Sequence, residues 1–402
     1  MKGAALDLDL PVDGPSVLGC GAELKNTVCV TKGMRAYISE NTGDLAEYAN
    51  YALFCLRIDE ILETTSIDPE IVAHDLHPDY VSTRHGRRLA GEKCVSGQRR
   101  LVGVQHHHAH VAACMVEHGL TEPVIGVALD GMGLGDDGTL WGGEILFADL
   151  RTYSREIHFK QYRMPGGDQA TLNPDRMAFS CLYEEFGDDD DTIARILPSL
   201  DSEMRRALSL MLKKGVRSPV TSSAGRLFDI ISAMLGICTT ISHEAEAAIK
   251  LQAAAAPDVY RRYNCRVNGS VLDFGQMIRE IVADIDNGMD KGQISARFHN
   301  TIAAGVISAC EAVREMRAVS DVVLTGGVFM NDLLRGRVID GLRGCGFRVY
   351  YPDILGPGDA GLSLGQAAVA LAGAKKKIAM KKAHKRSRGR ISHVFSGAGT
   401  NS

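Results

Sequence analysis

The hydrophobic and polar positions of the first hundred residues alternate between strand-like and helix-like spacing. Residues 16–39, which include VLGCGAELKNTVCV, carry glycine, small and β-branched side chains that predict two strands around a glycine-rich turn. Residues 42–63 place apolar side chains three and four positions apart, which predicts a helix. A strand at IVAHDL follows, and a second strand, LVGVQ, leads into a histidine-rich helix ending near Gly119. This order predicts one α/β unit.

The same pattern begins again at Val124. The segment VIGVALDGMGLGDDGTLWGGEILFADL reads as strand, glycine-rich loop and strand, about a hundred residues after the first such segment, which indicates an internal duplication. Helical patterns follow at 166–217, at 223–256 and at 294–319. The chain then reads as strand DVVLT, turn GGVFMN, helix, strand FRVYY and a last helix that GPGDAGLSLGQAAVALAG opens. Glycine turns at the carboxyl ends of strands are where open α/β sheets bind ligands.

The composition excludes several classes of protein. The 402 residues include 45 basic and 49 acidic side chains, and 45% are hydrophobic, which excludes disordered and collagen-like chains. Apolar runs fall short of the roughly 18 residues that span a bilayer, and the start lacks a signal-peptide pattern, so we expect no membrane partner and a cytoplasmic location. The ten cysteines form no CxxC pair and favour buried free thiols over a disulfide framework.

Basic charge is concentrated near the end of the chain. Residues 375–390 carry nine basic and no acidic side chains, which leaves the rest of the chain acidic. We predict that residues 375–402 form a basic, disordered tail. The charge is compatible with RNA binding, but the basic run holds no aromatic residue for base stacking, which favours a solvated end.

The sharpest chemical signal is the segment QHHHAHVAACMVEH. His106 and His110 are four residues apart at the start of a helix, so their imidazoles share one face and can bind one zinc or iron ion. The alternative is a polar helix face with incidental histidines. The HEXXH motif of zinc peptidases requires glutamate where this chain has His107, so a peptidase lacks its general base.

Carboxylates must complete such a coordination sphere. Asp130 and Asp359 are the candidates, because each lies in a glycine-containing turn at a predicted strand end. An aspartate in such a turn is also a common turn former. His107 and His108 point away from the shared face and are expected to contact substrate or to support the ligands.

Two glycine-containing segments predict an anion or nucleotide site. In VVLTGGVFMN a β-branched strand runs into Gly326 and Gly327 and then a helix with Asn331, an arrangement whose backbone N–H groups can bind phosphate. In SSAGRLFD, Gly225 lies at a helix start and Asp229 supplies a carboxylate that either binds a sugar hydroxyl or serves a structural pair.

Seven ordered motifs resemble one family. AHDLHPDYVST, VQHHHAHVAACM, DGMGLGDDGTLWGGE, PGGDQA, TSSAGRLFD, LTGGVFMN and GPGDAGLSLGQA resemble, from about Gly19 to Ala372, the C-terminal Kae-like domain of the HypF carbamoyltransferases. The resemblance implies an α/β fold of two duplicated actin-, sugar-kinase- and chaperone-ATPase-like (ribonuclease H-like) lobes with a central cleft. We accordingly place a first lobe with the histidine helix at 1–120 and a second lobe with a helical insertion and the nucleotide loop at 121–374.

The resemblance implies an enzyme that uses ATP or carbamoyl-adenylate. In this family the carbamoyl group passes to the C-terminal cysteine of a HypE protein during NiFe-hydrogenase maturation. The long HypF proteins also carry acylphosphatase-like, zinc-finger and YrdC-like domains, so we expect a stand-alone Kae-like half of a split system in which a separate YrdC-like protein supplies the adenylate to this chain.

The resemblance also assigns residues. His106, His110, Asp359 and, less directly, Asp130 match the family's metal ligands, and Gly326, Gly327 and Asn331 match its nucleotide loop. Asp229 matches a contact to substrate hydroxyls, and Gly225 and Glu244 fall in motifs assigned to nucleotide or substrate binding. It designates no catalytic side chain.

Two departures from the family keep rival functions open. The family's EGQAA is here Glu244-Ala-Glu246-Ala-Ala, which adds negative charge near an anionic substrate, and PGGDxAxxEPWR is here PGGDQATLNPDR. One alternative is an O-carbamoyl- or threonylcarbamoyl-type transferase acting on a small molecule or tRNA. The other is a non-catalytic regulatory subunit, which predicts loss of the site residues, whereas all of them are present.

Overall fold

The computed structural model describes residues 4–95 and 97–374. The predicted basic tail, residues 375–402, lies outside the described residues. Two units result from the packing of the chain: residues up to Val104 join those from Ser363 onward, and Gln105–Leu362 form the other.

The first unit is built on one six-stranded sheet with the order β1-β4-β3-β2-β5-β8. Its core forms where Phe54, Ile58 and Ile61 on one face of a helix pack against Leu18 and Val72 of the sheet. The strands are β1 (Leu6–Asp9), β2 (Val17–Gly19), β3 (Cys29–Lys32), β4 (Arg35–Ile38), β5 (Ile71–Asp75) and β8 (Arg100–Val104), with a small hairpin of β6 (Lys93–Cys94) and β7 (Gly97–Gln98). The helices are α1 (Tyr48–Thr65), α2 (Val81–Ala90) and the last helix at residues 362–374.

Helix α1 begins six residues later than the predicted start at residue 42. A turn occupies the difference, because Asp44 accepts a hydrogen bond from the backbone N–H of Ala46 at 2.9 Å and its carbonyl accepts one from the Asn50 side chain. Gly43 adopts φ +87°, a conformation that a helix excludes. The helix was predicted too early because Leu45 fits the apolar spacing of a helix. Leu45 is buried, but it lies in the turn and not in α1.

The second unit contains a larger sheet with the order β14-β15-β11-β10-β9-β16-β17, to which β12 and β13 add at the side. Apolar side chains of the helices cover the sheet and form its core. The strands are β9 (Val124–Leu134), β10 (Leu140–Ala148), β11 (Tyr153–Phe159), β12 (Tyr162–Arg163), β13 (Val220–Thr221), β14 (Arg266–Asn268), β15 (Val271–Asp273), β16 (Asp321–Thr325) and β17 (Arg348–Tyr350). The helices are α3 (His106–Glu117), α4 (Asp168–Leu172), α5 (Pro174–Phe186), α6 (Asp190–Ile196), α7 (Ser202–Lys214), α8 (Ala224–Met234), α9 (Glu246–Ala254), α10 (Gly275–Asp286), α11 (Lys291–Arg317) and α12 (Asp332–Gly344), with short 3-10 turns at Gly327–Met330 and Asp359–Gly361.

The two sheets share one topology. In each unit three consecutive strands pair antiparallel, and two later strands add in parallel beyond the first of the three. The resulting orders are β4-β3-β2-β5-β8 and β11-β10-β9-β16-β17. The same unusual order, twice in one chain, is what a duplication produces. The predicted α/β class with two duplicated lobes is therefore confirmed.

The boundaries between the units differ from the predicted domains 1–120 and 121–374. Helix α3 groups with the second unit because it packs against β9 so closely that a Cβ at Gly126 would overlap the Val111 side chain. The last helix groups with the first unit, where Gln366 accepts a hydrogen bond from the Gly21 backbone at 2.8 Å and Ser363 bonds Thr27 at 2.6 Å.

All ten cysteines fall within the described residues and are free thiols, as their scattered spacing predicted. Burial raises the pKa of several, such as Cys20 to about 12, so these thiols stay protonated. None of the helices within residues 4–95 and 97–374 is long and apolar enough to cross a membrane.

Candidate metal and nucleotide site

Helix α3 presents its first and second turns to the site. Gln105 caps the helix by accepting the N–H of His108 at 2.9 Å, which starts the helix at His106 and sets His106 and His110 one turn apart. Gly133 on β9 makes room for this turn, because a Cβ there would lie 2.7 Å from the ring of His106. Both histidines are buried.

Two carboxylates face the same imidazoles. His106 Nε2 lies 3.3 Å from Asp130 Oδ2 and 3.9 Å from Asp359 Oδ1. His110 Nε2 lies 3.7 Å and 3.5 Å from the same two oxygens. The four donor atoms are within 4.8 Å of one another, the one such group found among the described residues.

These separations fit a metal ion better than direct bonds. A tetrahedral ion with bonds of about 2.1 Å holds its ligand atoms about 3.4 Å apart. The imidazole–carboxylate distances of 3.3 to 3.9 Å are longer than a normal hydrogen bond. They lie close to the ligand separation expected around such an ion. Two imidazoles with two carboxylates suit zinc or ferrous iron. The four residues therefore fit a divalent metal in both geometry and chemistry.

The electrostatics of the cluster keep Asp130 ionised. Burial raises the pKa of Asp130, but the neighbouring imidazoles of His106 and His110 outweigh burial and hold that pKa well below its usual range. For His110 the balance is reversed: burial lowers its pKa, and the two carboxylates raise it above the ordinary value. A cation is thus already favoured at this position.

The loop that carries Asp359 is held at both ends. Glu117, the last residue of α3, accepts hydrogen bonds from the backbone N–H groups of Ile354 and Leu355 at 3.0 and 3.1 Å. Farther along, the carbonyl of Pro357 accepts the N–H of Gly326 at 2.7 Å. Asp359 is therefore positioned by the helix that bears the histidines and by the glycine loop.

The Gly326–Gly327 loop reaches the metal cluster directly. Gly326 adopts φ +95°, and a Cβ there would overlap the carbonyl oxygen of Leu129. This close approach lets the N–H of Gly327 donate to Asp130 Oδ1 at 3.0 Å. The two carboxylate oxygens of Asp130 thus divide their contacts between the glycine loop and the imidazoles.

The start of helix α8 lies against the same strand. Ser223 caps the helix by accepting the N–H of Arg226 at 3.0 Å and donates to the carbonyl of Gly131. Gly225 permits this approach, because a Cβ there would lie 3.2 Å from Gly131 Cα. Asp229, one turn along, forms an ion pair with Arg226 at 2.7 Å.

Burial, which Arg226 offsets only in part, raises the pKa of Asp229 to about 6. The carboxyl therefore changes charge close to neutral pH. A buried acid with this pKa is more common at functional sites than in ordinary ion pairs.

Comparison with known proteins agrees with this geometry. The family model "HypF Kae1-like domain" matches residues 12–117, and "Carbamoyltransferase, Kae1-like Domain, second subdomain" matches residues 126–366. A carbamoyltransferase HypF homolog of Cupriavidus necator is 39% identical over 370 residues, which cover 89% of this chain and 92% of that protein. The chain belongs to the HypF carbamoyltransferase family. The resemblance read from the seven motifs is confirmed.

Other HypF proteins are longer. Carbamoyltransferase HypF2 of Cupriavidus necator is 34% identical, and the match covers 90% of this chain but 47% of HypF2. HypF of Synechocystis is 31% identical, and the match covers 87% of this chain but 46% of that protein. The chain spans about half the length of these HypF relatives.

Solved HypF structures share the fold. A full-length HypF in the phosphate- and nucleotide-bound form matches with a TM-score of 0.85 and 34% identity, over 91% of this chain and 57% of that one. HypF of T. kodakarensis matches with a TM-score of 0.83 and 28% identity, over 92% of this chain and 49% of that one.

Glu244 and Asn331 occupy different settings from the rest of the predicted HypF site. Glu244 is exposed just before α9, and its role in binding stays a prediction. Asn331 is buried, with its side chain engaged by the protein itself. The charge of Glu246, which departs from the HypF motif, is compensated: Lys250 lies 2.6 Å away and, with Ser242, lowers its pKa to about 2.

Three further residues contact elements of this HypF site; Glu117 and His299 were missed from the sequence, whereas Ser223 lay in the predicted helix start SSAGRLFD. Glu117 anchors the Asp359 loop, Ser223 anchors α8, and His299 contacts Asn331. Only Ser223 carried a signal, since a serine before an apolar helix is a common cap. His108, which was expected to contact substrate or to support the ligands, is buried, and its Nε2 lies 2.7 Å from the carbonyl oxygen of Asp149.

Proposed function

We propose that this chain transfers the carbamoyl group of carbamoyl-adenylate to an acceptor thiol. The observation that carries the proposal is the contact of Asp130 with both the imidazoles and Gly327, because it joins a metal-type cluster to a glycine loop. A mixed carbamoyl–phosphate anhydride suits both features, because it offers a carbonyl oxygen that a metal can polarise and a phosphate that a glycine loop can bind. The nucleotide-bound HypF structure of the same fold adds support.

The metal of this proposal is zinc or iron, held by His106, His110, Asp130 and Asp359. When bound, such an ion supplies Lewis-acid polarisation of a carbamoyl or phosphate oxygen. Asp130 has a second task, because its other oxygen fixes the N–H of Gly327 and so holds the glycine loop in place.

The nucleotide is held by the loop and by α8. A Cβ at Gly327 would lie 3.3 Å from Asp130 Oδ1, so a glycine here leaves the loop backbone beside Asp130 open to a phosphate group. Ionised Asp229 accepts hydrogen bonds from the ribose hydroxyls, and Arg226 keeps that carboxylate oriented. Glu244 lies on the segment before α9, where it serves as a further substrate contact.

The acceptor is the C-terminal cysteine of a HypE-type protein in NiFe-hydrogenase maturation. Its thiolate sulfur attacks the carbamoyl carbon, a C–S bond forms, and the C–O bond to phosphate breaks with its electron pair leaving on AMP. The thiol proton passes to solvent. In this proposal a separate YrdC-like protein supplies the carbamoyl-adenylate, and the Kae1-like part that the family models match carries out the transfer.

The reaction takes place in the cytoplasm in this proposal. Ten free cysteines without a disulfide are typical of a reducing compartment. The acceptor thiol also has to remain reduced to act as a nucleophile.

The test is transfer of labelled carbamoyl to a HypE-type acceptor. The chain, loaded with zinc or ferrous iron, is mixed with carbamoyl-adenylate labelled in the carbamoyl carbon, and the acceptor is analysed by intact mass and peptide mapping. We expect one label on the terminal cysteine and none on a matched acceptor whose terminal cysteine is serine. Label on a small-molecule hydroxyl or tRNA instead would contradict the thiol acceptor, and no transfer to any acceptor would contradict the enzyme.

The ionisation of Asp229 predicts a pH dependence of nucleoside binding. Above its pKa of about 6 the carboxylate accepts two hydroxyl hydrogen bonds, and below it the protonated group accepts fewer. We expect adenosine affinity to fall about tenfold between about pH 7.5 and about pH 5, since roughly a tenth of the carboxyl stays ionised at the lower value. Adenosine is the probe because it has no phosphate that titrates in this range.

The matched control is Asp229→Asn, measured by calorimetry over the same pH values. Its affinity should be lower than wild type at neutral pH and independent of pH. An equal pH dependence in the two proteins would show that another group is responsible.

A further inference from the structure

The imidazole of His299 lies at the centre of the second unit, on helix α11, and the predicted chemistry does not use it. It is completely buried, and both ring nitrogens have partners. Nδ1 lies 2.8 Å from the carbonyl oxygen of Ser295, and Nε2 lies 3.0 Å from the side-chain nitrogen of Asn331. Because a carbonyl only accepts hydrogen bonds, Nδ1 carries the proton and Nε2 is the acceptor.

This tautomer orients Asn331. Its amide nitrogen must donate to His299, so its Oδ1 faces the opposite way and accepts the N–H of Leu334 at 2.9 Å. That bond is the N-cap of α12. A flipped amide would place an NH₂ group against the backbone N–H of Leu334 and an oxygen against the lone pair of His299.

The surroundings keep the ring neutral. Burial, aided by the nearby positive charge of Arg337 and opposed by the bond to Ser295, lowers the pKa of His299 to about 4. Phe228 and Phe298 contact the ring edge-on, with centroids 5.4 and 5.5 Å away. A neutral ring is needed here because a second ring proton would oppose the amide protons of Asn331.

We propose that His299 is a positioning residue for the Gly326–Gly327 loop and acts through Asn331. The loop runs from Gly326 through one 3-10 turn to Asn331, whose backbone N–H donates to the carbonyl of Val328 at 3.1 Å. Fixing the Asn331 side chain therefore fixes the end of the turn and the start of α12. The inference rests on the proposed function in that the loop is taken to bind the nucleotide.

A pair of variants separates the two ring nitrogens. The side chain of His299→Gln places its oxygen near the position of Nε2 and can still accept from Asn331, whereas His299→Asn reaches only the position of Nδ1. We expect His299→Gln to bind AMP within about threefold of wild type and His299→Asn to bind about tenfold more weakly, the size of one buried hydrogen bond. In an Asn331→Ala background the two variants should bind AMP equally.

Two readouts make the outcome decisive. AMP affinity is measured by calorimetry, and protection of the Leu334 amide by hydrogen exchange, with thermal unfolding to verify that both variants fold. Equal AMP affinity and equal Leu334 protection in the two variants would overturn the positioning role and leave a merely structural histidine. If wild type fails to bind AMP, the proposed function fails, but loss of Leu334 protection in His299→Asn alone would still support the contact through Asn331.

Discussion

Replacing His110 with alanine should abolish tight metal binding while leaving the chain folded. The change removes one of four donors, whose Nε2 lies 3.5 Å from Asp359 Oδ1 and 3.7 Å from Asp130 Oδ2. Loss of a direct ligand exceeds the 10- to 100-fold cost typical of a supporting residue, so we expect metal affinity to fall by at least about 100-fold. Metal content after zinc or ferrous loading, measured by mass spectrometry of the digested protein, reports the result.

His118→Gln is the matched control. His118 follows the last residue of the same helix, is exposed, and contacts the carbonyl of Tyr351 rather than the cluster. We expect this variant to retain one metal per chain. Stoichiometric metal in His110→Ala would show that the four residues are not the binding site, and circular dichroism of both variants verifies the fold.

Replacing Gly326 with alanine should give the largest loss of stability among single changes in the loop. The residue has φ +95°, and the added Cβ would overlap the backbone carbonyl of Leu129, which cannot move without displacing β9. Backbone strain of about 1–3 kcal/mol and overpacking of similar size predict that the free energy of unfolding falls by about 3–5 kcal/mol. Urea unfolding measures this loss, and AMP affinity should fall with it because Gly327 shifts relative to Asp130.

Gly336→Ala tests whether the effect belongs to the loop. Gly336 lies in α12, and a Cβ there meets nothing within 4 Å. The substitution should stabilise the protein by about 0.5–1 kcal/mol, because alanine favours the helix. A loss below about 1 kcal/mol in Gly326→Ala would contradict the tight backbone packing on which the account of the loop depends.

The elements of the fold were accessible from the sequence because each depends on local pattern. Strands β9 and β10 follow from apolar segments on either side of a glycine-rich loop, and the repeat of that pattern predicted the duplication. The spacing of His106 and His110 is likewise a property of one helix, so their shared face could be predicted from a four-residue interval.

The packing of those elements was not accessible, because periodicity does not tell which sheet a helix covers. Helix α3 therefore fell in the predicted first domain, although its contacts with β9 place it in the second unit. The last helix was likewise placed in the predicted second domain, although it groups with the first unit. A strand or helix boundary can be read from its own residues, but its neighbours depend on the whole chain.

The supporting contacts of the site were invisible for a related reason. Asp130 and Asp359 were candidates as residues of glycine turns, but their approach to the same two imidazoles is a tertiary result. Glu117 and His299 carry no motif, since one is an acid at a helix end and the other a histidine inside a helix. Their roles exist only through the loops that fold against them.

The most direct test of the account is single-turnover carbamoyl transfer measured as a function of metal occupancy. Chains prepared with increasing zinc or ferrous content react with labelled carbamoyl-adenylate and a HypE-type acceptor, and the initial transfer is followed by rapid quench. The account predicts transfer in proportion to the fraction of chains that hold metal, with none in His110→Ala. Full transfer by metal-free protein, or by His110→Ala, would contradict the claim that His106, His110, Asp130 and Asp359 form the working centre.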